Sequence, residues 1–310
     1  MSAWFSLRRF TRQAIISAFT AALAAAAFAV IPAQATFKGT NGLLVYQAQV
    51  GNHVQLFSIR PDGTDARQLT RFTDSDGTNG VWSPDGARLI FLREWGPNKS
   101  RIYSMNADGS GMHEFDSTIR LAGAWLPSGG GLLVLQRLRW TLVSANGTQP
   151  RDANIPGTGG SPCVLADGKR VAMIASLGRG DGKVAIFVGK IGGDSGSLKR
   201  ITPWETLADK IDCSPDGKRI AFSAPSFDVS QSSNVYTIGI DGTGLRQLTH
   251  DHGGKINDGL DSWSPDGKKI AFVSNKTGTY QIYSMNADGT GVTKITRGPE
   301  AHLASWGSHP

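Results

Sequence analysis

The eight residues Ile-Tyr-Ser-Met-Asn-Ala-Asp-Gly occur twice in this 310-residue chain, at Ile102–Gly109 and again at Ile282–Gly289. The first half of the octad carries β-branched and aromatic side chains in alternation with polar ones, a pattern typical of a strand. The second half ends in Asp-Gly, which favours a tight turn because glycine readily adopts a left-handed backbone. The octad therefore predicts one strand and its turn, and its duplication indicates an internal repeat.

Two kinds of glycine-containing turn recur and set the length of that repeat. The two octads start 180 residues apart, which is four repeats of 45 residues. Copies of Ser-Pro-Asp-Gly, three intact and two weaker, occupy Ser83–Gly86, Leu126–Gly130, Leu165–Gly168, Ser214–Gly217 and Ser264–Gly267. Relatives of the octad's turn lie at Arg60–Gly63, Ser144–Gly147, Lys190–Gly193 and Gly239–Gly242. Six such units fit the chain.

Each unit predicts four short strands separated by these turns, and no long segment has the 3.6-residue period of a helix after residue 35. Four-stranded units of about 40–50 residues are typical of a β-propeller blade. The chain ends on Ala304–Ser308, which resembles the start of another unit, while Asn41–Tyr46 resembles a unit that lacks its first strand. We therefore expect an all-β, six-bladed propeller over residues 36–310, closed by pairing of its two terminal segments so that no sheet edge stays open.

The first 35 residues predict a cleaved secretory signal peptide. Arg8, Arg9 and Arg12 precede an apolar stretch, and Ala33-Gln34-Ala35 supplies a small-x-small cleavage signal before Thr36. An uncleaved membrane anchor is the alternative, although the apolar run is short for a span. The whole chain has 32 basic and 25 acidic residues, so loss of three arginines leaves a net charge of +4, from 29 − 25. This mild balance, without a basic cluster, argues against a nucleic-acid partner.

The segments Ser-Pro-Asp-Gly-Lys-Lys-Ile-Ala-Phe, at Ser264–Phe272, and Ile282–Gly289 with its following Thr-Gly resemble the WD40-like (PD40) repeats of TolB-type six-bladed propellers. The resemblance covers nearly all of residues 36–310. It implies the propeller portion of that family, without the N-terminal α/β domain that TolB itself carries. It is specific for the fold and weak for the function.

The connections opposite the repeated turns differ from one another in length and chemistry, which favours a binding face on a repeated scaffold. Binding candidates lie in these connections or just before each predicted inner strand, at the mouth of the channel: Asp76, Asn79, Trp95, Arg120, Trp204, Asp209, Lys210, Asp258, Asp261 and His302. Phe227 lies in another such connection. A channel that binds only water and ions, with the aromatic residues capping the core, is the alternative. Trp82, Trp125, Trp263 and Trp306 share one repeat position and are expected to pack between blades.

Three chemical features of the sequence bear on alternatives to this binding role. His250, His252 and His302 are weak candidates for a metal site, and by resemblance some related propellers are metal-dependent lyases acting on acidic sugars. No nucleophile or acid–base set converges, so no catalytic residue is assigned and no cofactor is expected apart from a channel-bound metal ion. Cys163 and Cys213 fall one residue out of register, on opposite strand faces, which favours two separate thiols over a disulfide.

The sequence thus predicts a periplasmic or secreted, monomeric propeller, without a membrane span after cleavage, that binds a protein or peptide partner in the bacterial cell envelope. The alternative is a metal-dependent propeller enzyme acting on a polysaccharide as a lyase or hydrolase.

Overall fold

Six four-stranded antiparallel sheets follow one another along the chain and form the blades of a six-bladed propeller, as the repeat predicts. The computed structural model describes residues 34–35, 37–96, 99–155, 160–177, 182–225, 232–250 and 255–309. Within each blade the strands run in order from the central channel outward, and the outermost strand has only two residues.

The strands are numbered along the chain and grouped by blade. Blade 1 contains β25 (Ala301–Ser308), β2 (Asn41–Val50), β3 (His53–Ile59) and β4 (Arg67–Gln68). Blade 2 contains β5 (Asp76–Trp82), β6 (Arg88–Glu94), β7 (Ser100–Asn106) and β8 (His113–Glu114). Blade 3 contains β9 (Ile119–Trp125), β10 (Gly131–Gln136), β11 (Arg139–Ser144) and β12 (Arg151–Asp152). Blade 4 contains β13 (Gly160–Val164), β14 (Arg170–Ala175), β15 (Ala185–Lys190) and β16 (Lys199–Arg200). Blade 5 contains β17 (Lys210–Cys213), β18 (Arg219–Pro225), β19 (Ser233–Gly239) and β20 (Arg246–Gln247). Blade 6 contains β21 (Asp258–Trp263), β22 (Lys269–Ser274), β23 (Gln281–Asn286) and β24 (Thr293–Lys294). Two single-turn 3₁₀ helices, Ser195–Ser197 and Trp204–Thr206, and a two-residue strand, β1 (Gln34–Ala35), complete the elements.

The predicted closure is confirmed, because the C-terminal β25 is the innermost strand of blade 1 and pairs antiparallel with the N-terminal β2. Trp306 lies opposite Leu44 in this pairing. Both side chains are buried in a cluster that also takes in Ala271 and Ile282 of blade 6. The seam between the two ends of the chain is therefore packed like the other blade junctions, and each end of the ring stabilises the other.

The four tryptophans at the shared repeat position pack between blades, as predicted. Trp82, Trp125, Trp263 and Trp306 are all buried. Two of their backbones are also fixed by the preceding blade, since the Trp263 backbone N–H donates to Asp212 Oδ2 at 2.7 Å and the Trp306 backbone N–H donates to Ser262 Oγ at 2.9 Å. A polar residue on one inner strand thus sets the position of the next inner strand around the ring.

The duplicated octad has a specific packing role at its turn. Gly109 and Gly289 have φ of +88° and +89°, a left-handed conformation that favours glycine. A Cβ at Gly109 would lie 2.7 Å from the carbonyl oxygen of Leu69, and one at Gly289 would lie 2.9 Å from that of Leu248. Each turn therefore touches the backbone of the preceding blade, which leaves no room for a side chain at this glycine.

The prediction of two separate thiols is wrong, because Cys163 and Cys213 form a disulfide with their Cα atoms 5.8 Å apart. Their residue registers were predicted correctly: Cys213 pairs with Ile220, and the equivalent residue of blade 4, Val164, pairs with Val171. The incorrect assumption was that side chains on opposite faces of two equivalent strands point away from each other. In a propeller the front of one blade faces the back of the next, so Cys163 on β13 and Cys213 on β17 meet at the junction between blades 4 and 5.

Candidate binding face

The connections that differ between blades all lie at one end of the propeller, which we call the variable face. It is formed by the links from the second to the third strand of each blade and from each outermost strand to the next inner strand. The Ser-Pro-Asp-Gly and Asn-Ala-Asp-Gly turns close the opposite end, because consecutive turns of an antiparallel sheet alternate between its two ends. Phe227 of the variable face lies outside the described residues.

On blade 2, Trp95 belongs to a cluster of stacked aromatic and charged side chains. The Arg93 guanidinium lies 4.4 Å from the ring centroid of Phe72 and 4.8 Å from that of Trp95. Arg93 also forms an ion pair with Asp74 at 3.0 Å, and the Trp95 indole N–H donates to the same carboxylate at 3.4 Å. Trp95 remains half-buried. The cluster orders this loop and leaves part of the indole available for contact.

On blade 4, Trp204 begins the 3₁₀ turn Trp204–Thr206 in the link to blade 5. Its ring packs edge-on against Phe187, with centroids 5.6 Å apart, and the Arg200 guanidinium lies 5.2 Å from its centroid. Trp204 is half-buried. The sequence left open whether Trp95 and Trp204 cap the core or face a partner; both pack against the protein and keep part of the ring exposed.

Three exposed leucines in the variable face were missed by sequence reasoning. Leu138, Leu177 and Leu207 are 75%, 44% and 46% exposed. They lie in the connection within blade 3, the connection within blade 4 and the link from blade 4 to blade 5, respectively. Each has a left-handed backbone, with φ of +64°, +46° and +48°. This conformation is uncommon for residues other than glycine, asparagine and aspartate. A lone leucine in an otherwise polar connection, as in Gln-Arg-Leu-Arg, was the available sequence signal.

Exposed apolar residues on the opposite end have a different origin. Met112, Leu245 and Val292 are 39%, 48% and 45% exposed. Each stands three residues after the glycine of an Asp-Gly turn, so they share one repeat position. They are therefore a property of the repeated scaffold, whereas the three leucines of the variable face belong to connections that differ from each other.

At the channel mouth, Asp76 and Asn79 join blades 1 and 2. Asp76 begins the inner strand β5; its Oδ1 accepts the Val54 N–H at 2.9 Å and lies 3.2 Å from the Nδ1 of His53. Asn79 has φ of +54°, and its N–H donates to Gln47 Oε1 at 3.0 Å. Arg120 lies in the inner strand β9, but its side chain is outside the described part of the structure.

Lys210, Asp258 and Asp261 are buried between blades 5 and 6 instead of lining an open mouth. They are 3%, 6% and 0% exposed. Lys210 Nζ lies 3.5 Å from Asp261 Oδ1, and burial raises the pKa of Asp261 while the Lys210 ammonium opposes that rise. A partner would reach these groups only by displacing their neighbours. Their first role is therefore to hold two blades together in a defined alignment.

Asp209 and His302 are more accessible. Asp209 is exposed as a residue, but its carboxylate lies against the Ser223 hydroxyl, which donates a hydrogen bond to it, and desolvation of this carboxyl raises its pKa. His302 is half-buried; its Nε2 lies 3.8 Å from Glu300 Oε1, and its ring centroid lies 5.0 Å from that of Tyr280. Both residues can contact a bound segment at the mouth without rearrangement of the inner strands.

The weak metal candidates are only partly placed. His250 is exposed at the edge of the described range, and His252 lies outside the described residues. Within the described ranges, no group of three histidine, cysteine, aspartate or glutamate side chains has the arrangement needed to hold a metal ion. The described part of the chain also contains no helix of the length and hydropathy needed to cross a membrane.

Comparison with known proteins supports the family suggested by the repeats. Residues 161–308 match the family model of the TolB β-propeller domain (PD40). The matched segment, just under half of the chain, is similar to the TolB β-propeller domain. A 97-residue segment is 37% identical to the uncharacterized protein Atu1656 of Agrobacterium fabrum, and covers 31% of this chain and 30% of that protein.

Solved structures show the same propeller over most of the chain. TolB from Acinetobacter baumannii has a TM-score of 0.70 at 17% identity, with 86% of this chain and 66% of that chain covered. A putative TolB from Agrobacterium tumefaciens has a TM-score of 0.60 at 18% identity, with 84% and 92% covered. The TolB-type propeller thus spans just under two thirds of the Acinetobacter protein. At these identities the likeness shows the fold alone.

Proposed function

We propose that this TolB-type propeller is an exported binding module that recognises a protein or peptide partner in the bacterial cell envelope through its variable face and channel mouth. The observation that carries the proposal is the group of leucines at Leu138, Leu177 and Leu207, which are exposed and left-handed at once. A non-glycine residue in this conformation costs about 1 kcal/mol or more. An exposed leucine recovers none of that cost from the core, so a contact with another molecule is the role that fits.

The surroundings of the leucines suit a protein surface. Leu138 stands between the exposed residues Arg137 and Arg139, and Leu207 follows the half-buried Trp204. Apolar and aromatic anchors with arginines at their rim are typical of protein–protein contact surfaces. The rigid ring beneath holds the loops in place, so recognition requires little ordering of the backbone on binding.

Export to the envelope is the second part of the proposal. It is supported by the arginine-led apolar segment and the small-x-small signal at Ala33-Gln34-Ala35. N-terminal sequencing of the protein recovered from the periplasmic fraction and from the medium tests it. A new N-terminus at Thr36 is expected, and a protein that keeps Met1 would contradict cleavage.

The binding role is tested with matched leucine variants. The double variant Leu138→Ser/Leu207→Ser should weaken binding of the partner, once captured from envelope extract and purified, by at least tenfold. The control variant Leu245→Ser/Val292→Ser changes residues of similar exposure on the opposite end and should bind like the wild type. All of these side chains are exposed, so unfolding of both variants should match that of the wild type. Equal loss of binding in both variants, or in neither, would refute the variable face as the contact surface.

The metal-dependent lyase or hydrolase considered from the sequence has no specific observation in its favour among the described residues. Metal analysis of the exported protein, purified without a histidine tag, decides the point. A stoichiometric metal ion that is lost in His302→Ala would replace the binding module with the enzyme.

A further inference from the structure

The two-residue strand β1 adds a fifth strand to blade 5 on the side of the channel. It pairs parallel with the inner strand β17, with Gln34 opposite Asp212 and Ala35 opposite Cys213. The other side of β17 pairs with β18, so β1 occupies the edge that faces the central channel. It also approaches the inner strands of blades 3, 4 and 6. A segment of the chain itself therefore lies inside the ring, bound through its backbone.

Blade 5 differs from the other blades at this edge. In each of the other five blades, a bulge near the tryptophan position breaks the pairing of the inner strand with the second strand. The bulges lie at Ala304 in blade 1, Asn79 in blade 2, Gly123 in blade 3, Ser161 in blade 4 and Asp261 in blade 6. Strand β17 instead keeps four consecutive pairs, from Lys210 opposite Ser223 to Cys213 opposite Ile220. Bulges blunt an edge against strand addition. Only β17, among the described inner strands, keeps an unbroken edge of this length.

The direction of the backbone groups on β17 follows from its pairing. The Ser214 N–H donates to the Arg219 carbonyl at 2.9 Å. Because antiparallel residues alternate, Asp212 also directs its N–H and C=O to β18, while Ile211 and Cys213 direct theirs to the channel. Gln34, opposite Asp212, is then the residue whose backbone meets these two, and the Ala35 N–H points away from β17. Without β1, the Cys213 N–H and the Ile211 C=O of an inner strand would lack a strand partner.

We propose that the channel edge of β17 is a strand-acceptor site, filled by the chain's own Gln34–Ala35 before leader cleavage and by an extended segment of the protein partner afterwards. This inference rests on the proposed function, since it names how that partner enters the channel. Cleavage before Thr36 removes β1 and opens the site only in the exported protein. The uncleaved chain is self-blocked.

The channel also restricts which segment fits. The partner segment must run parallel to β17, with a backbone N–H at the position of Gln34. Strand β1 approaches the inner strands of blades 3, 4 and 6, so a partner segment in its place runs close to three further blades. Main-chain pairing supplies affinity in such strand addition, and the neighbouring side chains supply specificity.

Hydrogen exchange tests the site directly. The exported, cleaved protein is compared with the full chain of Ala33→Leu, in which a large residue at the cleavage signal blocks removal of the leader. The Cys213 amide, which donates to the Gln34 carbonyl in this pairing, should exchange at least tenfold more slowly in the uncleaved chain. The amides of Asp212 and Ser214, which bond to β18, should exchange alike in both and serve as controls. Equal exchange of the Cys213 amide in the two proteins would overturn the proposal.

A peptide probe then tests acceptance of a separate strand. The probe is Ile-Pro-Ala-Gln-Ala-Thr, the sequence of residues 31–36, blocked at both ends. At ten times its Kd it should slow exchange of the Cys213 amide of the cleaved protein by about tenfold. N-methylation at the residue equivalent to Gln34 should abolish this protection, and N-methylation at the next residue, Ala35, should preserve it. Equal behaviour of the two methylated peptides would show that binding is not strand addition.

The same proteins separate this inference from the proposed function. Purified partner should bind the cleaved protein at least tenfold more tightly than it binds uncleaved Ala33→Leu. Equal binding, together with loss of binding in Leu138→Ser/Leu207→Ser, would leave the binding module intact and remove the strand-acceptor site. Equal binding without any effect of the leucines would remove both.

Discussion

Opening the disulfide between Cys163 and Cys213 should lower the free energy of unfolding substantially, because the bond closes a long loop. The two cysteines are 50 residues apart in the sequence. A cross-link over a loop of this length removes about 14 cal/mol/K of chain entropy from the unfolded state, which corresponds to about 4 kcal/mol at 25 °C. Both side chains are buried, so reduction leaves the native packing with two thiols of nearly the same volume.

The assay is urea unfolding followed by tryptophan fluorescence, with and without a thiol reductant. The reduced wild type isolates the cross-link. The double variant Cys163→Ala/Cys213→Ala should lose the same free energy plus a small term for the missing sulfur atoms. A loss below about 1 kcal/mol in reduced wild type would refute the chain-entropy argument. Two alkylatable thiols in the exported, unreduced protein would refute the pairing itself.

Four further changes test other parts of the argument. Lys210→Met should destabilise the protein by about 3–5 kcal/mol, because it leaves the Asp261 carboxylate buried without its ammonium partner. In urea unfolding, the double variant Lys210→Met/Asp261→Leu should recover most of that loss. Burial raises the pKa of Asp261, so the folded protein holds this proton more tightly than the unfolded chain does. The unfolding free energy should therefore fall as the pH rises from the ordinary aspartate range through the raised pKa, and it should fall more steeply in Lys210→Met than in the wild type. A difference in unfolding free energy between the two proteins that does not change with pH would contradict the assignment. Asp212→Ala should lower the unfolding free energy by about 2 kcal/mol, because it removes the acceptor of the buried Trp263 backbone N–H. Ser305→Ala should lower it less in the same unfolding assay, because the bond from the Trp82 backbone N–H to Ser305 is longer, at 3.4 Å. Gly289→Ala should lower the melting temperature more than Gly244→Ala, since both glycines are left-handed but only the first would place a Cβ against backbone; equal shifts would show that the contact with Leu248 is unimportant.

The fold could be predicted because the same strand-and-turn pattern recurs several times along the chain. Ser-Pro-Asp-Gly turns, strands such as Gln281–Asn286 and the tryptophans at one repeat position each gave the same register independently. The closure was visible as well, since Asn41–Tyr46 and Ala304–Ser308 are complementary parts of one unit. Local chemistry and the repeat period decide these features, and both are written in the sequence.

Features that depend on contacts between neighbouring blades were harder to predict from the sequence. The disulfide was mispredicted because faces were compared within equivalent strands, while Cys163 and Cys213 meet across a junction. Lys210 and Asp261 were expected at an open mouth, but the inner-strand pairing buries them together. The left-handed Leu138 carries no sequence mark beyond its polar neighbours. The binding role of the variable face stays a prediction.

The seam of blade 1 has a consequence for how the protein is made. Its inner strand is contributed by Ala301–Ser308, which follows the other strands of the ring in the chain and is therefore synthesised after them. Until those residues arrive, β2 presents an unpaired edge and the clusters of blades 1 and 6 cannot be completed. Closure of the ring therefore has to wait for Ala301–Ser308. A chain without this strand would expose the edge of β2 together with the incomplete apolar cluster of blades 1 and 6, which favours proteolysis and aggregation.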